Sequence, residues 1–297
     1  MNFTEKYVDL HLHSCHSDGL HTPAQLVRLS SEQGLRAIAI TDHDSVDGID
    51  SAMEEGKRLG VEVIPGVELS VSYRGLSDVH LLGFLIDHHD PGFTARLEDF
   101  RKSRDERGKA ILERINARLS FEKRGKIAYE EVLALAGGAL GRPHIARVLV
   151  DKGFTRNIEE AFERYLEPCN VPKIRFDIAD AMAEIKRIGG VTVLAHPPSI
   201  SNNPTTLRSI IRELHGMGLD GLELFSNMCY KEDIIIFNSL ATQLGLLVTG
   251  GSDYHGFHEG EEPGKVRGAA GIPYRLVERL KEAQTRNSGS MRTVPTI

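Results

Sequence analysis

Seven short runs of apolar, mostly β-branched residues recur along the chain, at 8–13, 37–41, 61–69, 79–85, 191–195, 221–224 and 246–250. Runs of this length without polar alternation predict strands buried on both faces, and the helical patterns between most of them predict a parallel α/β sheet. The helix signals are specific. Thr22-Pro23-Ala24-Gln25 supplies an N-cap, a first-turn proline and a capping-box glutamine, and Gly34 predicts the stop. Asp177 predicts the cap of a helix reaching Ile188, ended by Gly189-Gly190, and a further helix from Asp233 to Leu244 stops at Gly245. Seven β/α units predict a barrel one unit short of the common eight. An open sheet fits the same alternation, but the polar residues at the strand ends favour closure.

The alternation breaks between about Phe93 and Val171, where the pattern predicts helices at 97–119, 129–136, 144–152 and 158–165 and no strand. Loops that follow barrel strands build the active-site face, so a helical block inserted between strands 4 and 5 is expected to cap that face. The alternative is a helical decoration remote from the chemistry. The expected division is a barrel formed by 1–96 and 172–297, with a cap at 97–171. The stretch after Asn287 reads as a frayed terminus.

Composition narrows the partners. The 297 residues are 40% hydrophobic and 26% charged, the balance of a globular chain, and the formal net charge of −6 offers no basic footprint for duplex DNA. No apolar run approaches the roughly 18 residues of a membrane span, and the polar first residues do not read as a signal peptide. Cys15, Cys169 and Cys229 are an odd, scattered set that suits a reducing compartment, so a cytoplasmic enzyme is expected. Cys169 and Cys229 read as core. The 13 histidines change the picture, because many stand beside Asp, Glu or Gly at the ends of the apolar runs.

His11 and His13 lie two apart at the end of the first strand, so both imidazoles can reach one cation, and Asp18 follows in a Ser17-Asp18-Gly19 turn. The second strand ends in Thr41-Asp42-His43-Asp44, the third carries Gly66-Val67-Glu68 and the fourth His80. The fifth exits into Ala195-His196-Pro197 and the seventh into Gly251-Ser252-Asp253-Tyr254-His255. A lone histidine is usually a surface or satisfied core residue. So many on one barrel rim are costly unless something pairs with them. His11, His13, Asp18, His43, Glu68, His80, His196, Asp253 and His255 form a nitrogen and oxygen donor set too large for a single ion, implying two or three divalent ions; it suits Mn, Fe or Zn. Such centres hydrolyse phosphate esters through an activated water. Glu68, with two oxygens and an inward position, is the expected bridge.

In order and spacing, His11-x-His13, Ser17-Asp18-Gly19, Thr41-Asp42-His43-Asp44, Gly66-Val67-Glu68, Ala195-His196-Pro197 and Gly251-Ser252-Asp253-x-His255 resemble the motifs of the PHP (polymerase and histidinol phosphatase) family. Gly141-Arg142-Pro143-His144-Ile145-Ala146-Arg147, with Phe162-x-x-Tyr165-Leu166, is similar to the cap of the nucleotide-acting subfamily of 3′,5′-nucleoside bisphosphate phosphatases and 5′-to-3′ oligoribonucleotide exonucleases. The resemblance implies a distorted (β/α)7 barrel with up to three metals, often manganese. It implies a first ion on His11, His13 and Asp253, Glu68 bridging to a second on His80 and His196, and a third on Asp18, His43 and His255. Glu68, His43, Asp253 and His255 are the expected catalytic residues, with a metal-bridging hydroxide attacking phosphorus. The expected partner is a small phosphorylated nucleotide or short oligonucleotide.

Arg142 and His144 are expected to bind substrate phosphate, with Arg147 a weaker candidate. The fifth-strand motif reads His196-Pro197-Pro198-Ser199 where nucleotide-acting relatives tend to carry His-Pro-Gly-Arg, so an arginine is missing; Arg74 and Lys173 are the candidate substitutes. Asp42 reads either as an orienting partner of a ligand imidazole or as a loop cap, and Glu223 as a substrate contact or a paired carboxylate. Cys15 and His16 receive no role, and His21, His88, His89, His215 and His258 read as surface residues. Two rival functions stand beside this one: a histidinol phosphatase, and a non-catalytic metal-binding module of a polymerase.

Overall fold

All seven apolar runs form strands in the computed structural model, which describes residues 6–291 except 136–139, 173–174, 258–259 and 268. β1 (Tyr7–Leu12), β2 (Ala37–Ile40) and β3 (Glu62–Tyr73) run parallel, with α1 (Pro23–Glu32) and α2 (Ile49–Leu59) as crossovers. β4 (Leu76–Phe84) follows β3 directly. After the helical block come the two-residue β5 (Phe176–Asp177), α7 (Ile178–Arg187), β6 (Val191–Leu194), α8 (Pro204–Gly216), β7 (Gly221–Phe225), α9 (Lys231–Leu244), β8 (Leu247–Gly250), β9 (Ile272–Pro273) and α10 (Arg275–Met291). The sheet order is β8-β7-β6-β4-β3-β2-β1-β9, with β5 beside β3.

The sheet is not uniformly parallel, as the apolar runs alone suggest. β4 lies antiparallel to both β3 and β6. The cause is local: Arg74 and Gly75 have φ of 50° and 71°, the paired positive values of a two-residue hairpin turn that returns the chain at once. His80 therefore reaches the rim from within a reversed strand. β5 and β9 are additions too short to show as apolar runs.

Side-chain alternation separates two layers. Val8, Leu10, Ala37, Ala39, Leu82, Phe84, Val191 and Val193 fill the inside of the barrel, and Leu276, Val277 and Leu280 of α10 pack against them. Leu12, Ile38, Ile40, Leu194 and Leu222 face outward to the helices. In β1 the register shifts between Asp9 and Leu12, which moves Leu12 to the outer layer and turns His11 and His13 inward.

The helices obey their signals with small differences. Thr22, Pro23 and Gln25 build the capping box, and Asp177 caps α7. α9 starts at Lys231, earlier than expected, because the Asp233 carboxylate accepts from Tyr230 N at 3.0 Å and caps from inside the first turn. α10 continues to Met291, past the expected fraying point. In the inserted block, α3 (Pro91–Phe121) begins earlier than predicted because Asp90 caps it just before a proline. It is followed by α4 (Tyr129–Leu133), α5 (Arg142–Asp151), α6 (Ile158–Ala161) and a π-helical turn at Phe162–Leu166. Ile111, Ile115, Leu119, Val132, Ile145, Leu149, Tyr165 and Cys169 make a separate apolar cluster there. Among the described residues no helix is long and apolar enough to cross a membrane.

The barrel is nearly closed where β1 approaches β8, and Asp9 acts as the clasp. Fully buried, its carboxylate accepts from Ser252 N (2.9 Å), Ser252 Oγ (2.5 Å), Gly264 N (2.6 Å) and His11 N (3.2 Å). Asp9→Asn places an amide donor among these donors. It is expected to lower the urea-unfolding free energy by about 2–3 kcal/mol, since hydrogen bonds to a buried charged group exceed neutral ones. Unchanged stability would remove the clasp.

Candidate metal centre

The strand ends bring eight of the nine expected ligands within reach of one another around Glu68, and His196 joins them. The fully buried Glu68 turns Oε2 toward His11 Nε2 (3.3 Å), His13 Nε2 (3.2 Å) and His43 Nδ1 (3.0 Å), and Oε1 toward His80 Nδ1 and His196 Nε2 (3.0 Å each). Asp253 Oδ1 stands 3.4 Å from His11 Nε2 and 3.1 Å from His13 Nε2. Asp18 lies 3.6 Å from His13 Nδ1 and 3.3 Å from His255 Nε2.

Donor atoms close enough to share a cation form three adjoining groups: His11, His13, Glu68 and Asp253; His13, Asp18, His43 and His255; and His43, Glu68 and His80. His13, His43 and Glu68 are each common to two of them; the third group holds His43 with Glu68 and His80, and His196, expected beside His80, is in none of the three. A further trio, Asp50, His88 and His89, is more exposed than these three groups and shares no residue with them.

These residues fit divalent cations on their own chemistry. His11 Nε2, both ring nitrogens of His13, Asp18 Oδ1, His43 Nδ1, Glu68 Oε2 and His80 Nδ1 are buried without a partner in hydrogen-bonding geometry. So many orphaned donors and acceptors in one place are costly unless a cation satisfies the lone pairs. Three carboxylates beside six imidazoles also leave a negative centre when the rings are neutral.

Without a cation the electrostatics are strained. Burial opposes charge on His11, yet Glu223, Glu68 and Asp253 hold its pKa well above the ordinary range. Burial likewise opposes charge on His13, but Asp253 and Glu68 raise it to about 10. Burial outweighs the carboxylates at His43, which falls to about 4. Burial resists ionisation of Glu68, Asp18 and Asp253, and the surrounding imidazoles still hold all three well below the usual carboxylate range.

Two carboxylates support these side chains and their loops from behind. Glu223, fully buried in β7, lies 2.9 Å from His11 Nδ1 and accepts from His196 N at 2.9 Å, so it is a paired carboxylate rather than a substrate contact. Asp42 accepts from Ser14 N, Ser14 Oγ and Ser17 Oγ, each at 2.6 Å, and caps the loop carrying Asp18. His16 and the half-buried Cys15 stay in that loop, while Cys169 and Cys229 are buried.

The cap residues divide. Buried His144 accepts from Gly141 N at 3.0 Å; burial lowers its pKa, and Asp18 is close enough to act on it. Arg142 stacks on Phe162 and has no carboxylate partner among the described residues. Arg147 pairs outward with Asp151 at 3.0 Å, and Arg74 with Glu213 at 2.8 Å, so both are occupied elsewhere. Lys173 and His258 fall outside the described residues. His21 stacks on Tyr254.

Sequence reasoning missed three arginines. Arg107 bonds Val171 O and Asn170 Oδ1, and burial with the nearby guanidiniums of Arg142, Arg104 and Arg175 brings its pKa down to about 10. Arg104 also pairs with Asp44 at 2.5 Å, at the exit of β2. Four guanidiniums thus gather in and beside the inserted block.

Residues 9–170 match the PHP domain family. The chain belongs to that family. Its PHP relatives include a 5′-3′ exoribonuclease of Haemophilus influenzae, 34% identical over 256 residues that cover 85% of this chain and 90% of that protein. A 3′,5′-nucleoside bisphosphate phosphatase of Chromobacterium violaceum is 32% identical over 259 residues, covering 85% and 88%. Among solved structures, an amidohydrolase from Chromobacterium violaceum superposes with a TM-score of 0.81 at 29% identity, over 94% of this chain and 96% of that one.

Proposed function

We propose that this PHP protein hydrolyses phosphate esters of nucleotides, either 3′,5′-bisphosphates or short 5′-phosphorylated oligonucleotides, with two or three divalent ions, manganese foremost. The reading rests on one observation above others: orphaned imidazole and carboxylate atoms converge on Glu68 beside an arginine-lined cap. The names of the exoribonuclease and bisphosphate phosphatase relatives support it. Three free thiols suit the cytoplasm as its setting.

Bound in this donor set, the ions activate water and neutralise charge on the reacting phosphate. The chain does the rest. His11, His13 and Glu68 are sealed from solvent and fix the floor, while His43, Asp253 and His255, at 14%, 19% and 27% side-chain exposure, face the substrate. Glu223 and Asp42 hold ligands and loop in place, which limits reorganisation during reaction. In the cap (97–171), Arg142 clamps a second phosphate within the positive field of Arg107 and Arg104, with Arg175 just beyond, and His144 fixes the turn that presents Arg142.

The test is metal analysis followed by turnover of adenosine 3′,5′-bisphosphate, short 5′-phosphorylated RNA and histidinol phosphate. The nucleotides should be preferred; preference for histidinol phosphate overturns the substrate class. Arg142→Ala should lower kcat/KM for the bisphosphate by about 10- to 100-fold, mainly through KM, at unchanged metal content. An equal loss on a substrate with a single phosphate would contradict the clamp.

A further inference from the structure

The loops leaving β6, β7 and β8 line a cleft of about 510 Å³. One wall is Pro198 and Ser199, and the Ser199 hydroxyl lies 2.9 Å from Nδ1 of the ligand His196. The opposite wall is tied together by Asn227, whose amide donates to Ser252 O at 2.8 Å and accepts from Arg267 N at 2.9 Å. Ser252 precedes Asp253, so both walls are continuous with proposed ligands.

The floor is chemically distinctive. Tyr230 is 59% exposed and Met228 43%, and the Arg267 guanidinium sits 4.6 Å over the Tyr230 ring. The guanidinium covers one face of the ring, and the phenol still leaves more than half of its surface open for stacking. A phosphate could use only the Arg267 guanidinium here, whereas a planar heterocycle gains from tyrosine, guanidinium and thioether alike. The volume falls in the range of about 300–1,000 Å³ typical of small-molecule sites and exceeds what a phosphate group needs.

We infer that this cleft binds the base of the nucleotide whose phosphate is held at the metal centre, with the base stacking on Tyr230 and Arg267. The inference rests on the nucleotide reading above and adds where the base goes. The nucleotide then spans the centre, its second phosphate toward the arginines and its base between the β6 and β7 loops.

Steady-state kinetics of Tyr230→Ala, Tyr230→Phe and Arg267→Ala test it, using adenosine 3′,5′-bisphosphate against the base-free ester glycerol 2-phosphate. The ratio of kcat/KM for the two substrates should fall about tenfold or more in Tyr230→Ala, through KM, and stay within about threefold in Tyr230→Phe, which keeps the stacking face. Arg267→Ala should fall in the same direction. Equal losses on both esters, or an unchanged ratio, overturn the cleft assignment. Calorimetric binding of adenosine 3′,5′-bisphosphate to the chelated protein gives a readout independent of turnover. Weaker binding by Tyr230→Ala than by Tyr230→Phe supports the cleft even if the wild type hydrolyses no nucleotide, a result that would defeat the nucleotide reading alone; equal binding by the two variants overturns it.

Discussion

Glu68→Gln is expected to reduce turnover by about a thousandfold or more and to release at least one equivalent of divalent metal. Both carboxylate oxygens face imidazoles, Oε1 those of His80 and His196 and Oε2 those of His11, His13 and His43, all at 3.0–3.3 Å. Glutamine keeps the volume but replaces one oxygen with an amino group that donates, so it cannot face cations on both sides. Because Glu68 is fully buried, water does not replace the lost ligand atom. Metal content by plasma emission spectrometry and kcat on the preferred nucleotide check the expectation together. A variant that keeps its full metal complement and wild-type turnover would refute the bridging role.

Removing the metals should reverse the pH dependence of stability. With no cation, His11 and His13 are held protonated by Glu223, Glu68 and Asp253, well above and at about 10 respectively. A raised histidine pKa stabilises the fold fully below the unfolded value of about 6.5, and that stabilisation is lost as pH rises toward the folded value. Asp18, Glu68 and Asp253 have lowered pKa values, so their contribution is present above about pH 4 and lost as pH falls through the folded values. His43, lowered to about 4, resists charging and disfavours the fold as pH drops below about 6.5. The chelated protein should therefore be most stable near pH 6 and lose on the order of 2 kcal/mol between pH 6.5 and 8.5 from His13 alone. Metal binding requires neutral rings and so releases these protons; apparent affinity should rise up to about a hundredfold per pH unit for two protons. Thermal melts of chelated and manganese-loaded protein across this range, with calorimetry in two buffers of different ionisation enthalpy, measure both. A chelated protein that gains stability on going from pH 6.5 to 8.5 would contradict the assignment.

The side chains that gather at the strand ends were legible because they interrupt apolar runs, where a polar residue stands out. His80 was legible as a residue but not in its placement: Arg74-Gly75 is a weaker hairpin signal than Asn-Gly, so the reversal of β4 hid inside what read as another parallel strand. Arg104 and Arg107 were hidden differently. They sit in a helix full of charged residues, where a cation normally means a solvated face, and only their i,i+3 spacing marks a shared side. Arg175 had no pattern at all. Asp9 offered a signal that went unused, a carboxylate between Val8 and Leu10 within a buried strand, which nearly always has a structural partner. Tyr230 and Arg267 become neighbours only through folding, 37 positions apart in the sequence.

The reversed β4 delivers the chain to the wrong end of the barrel for reaching the substrate, and α3 makes up the difference. Anchored at its foot by Asp90 to Arg187, it meets Asp44 at the exit of β2 only by Arg104, and its later turns stand above the rim. At 1.5 Å per residue its 31 residues span about 46 Å. The helix thus works as a mast: a single rod carries Arg104 from the foot of the barrel to the level of Asp44, on the deck where the strand-end histidines and carboxylates gather.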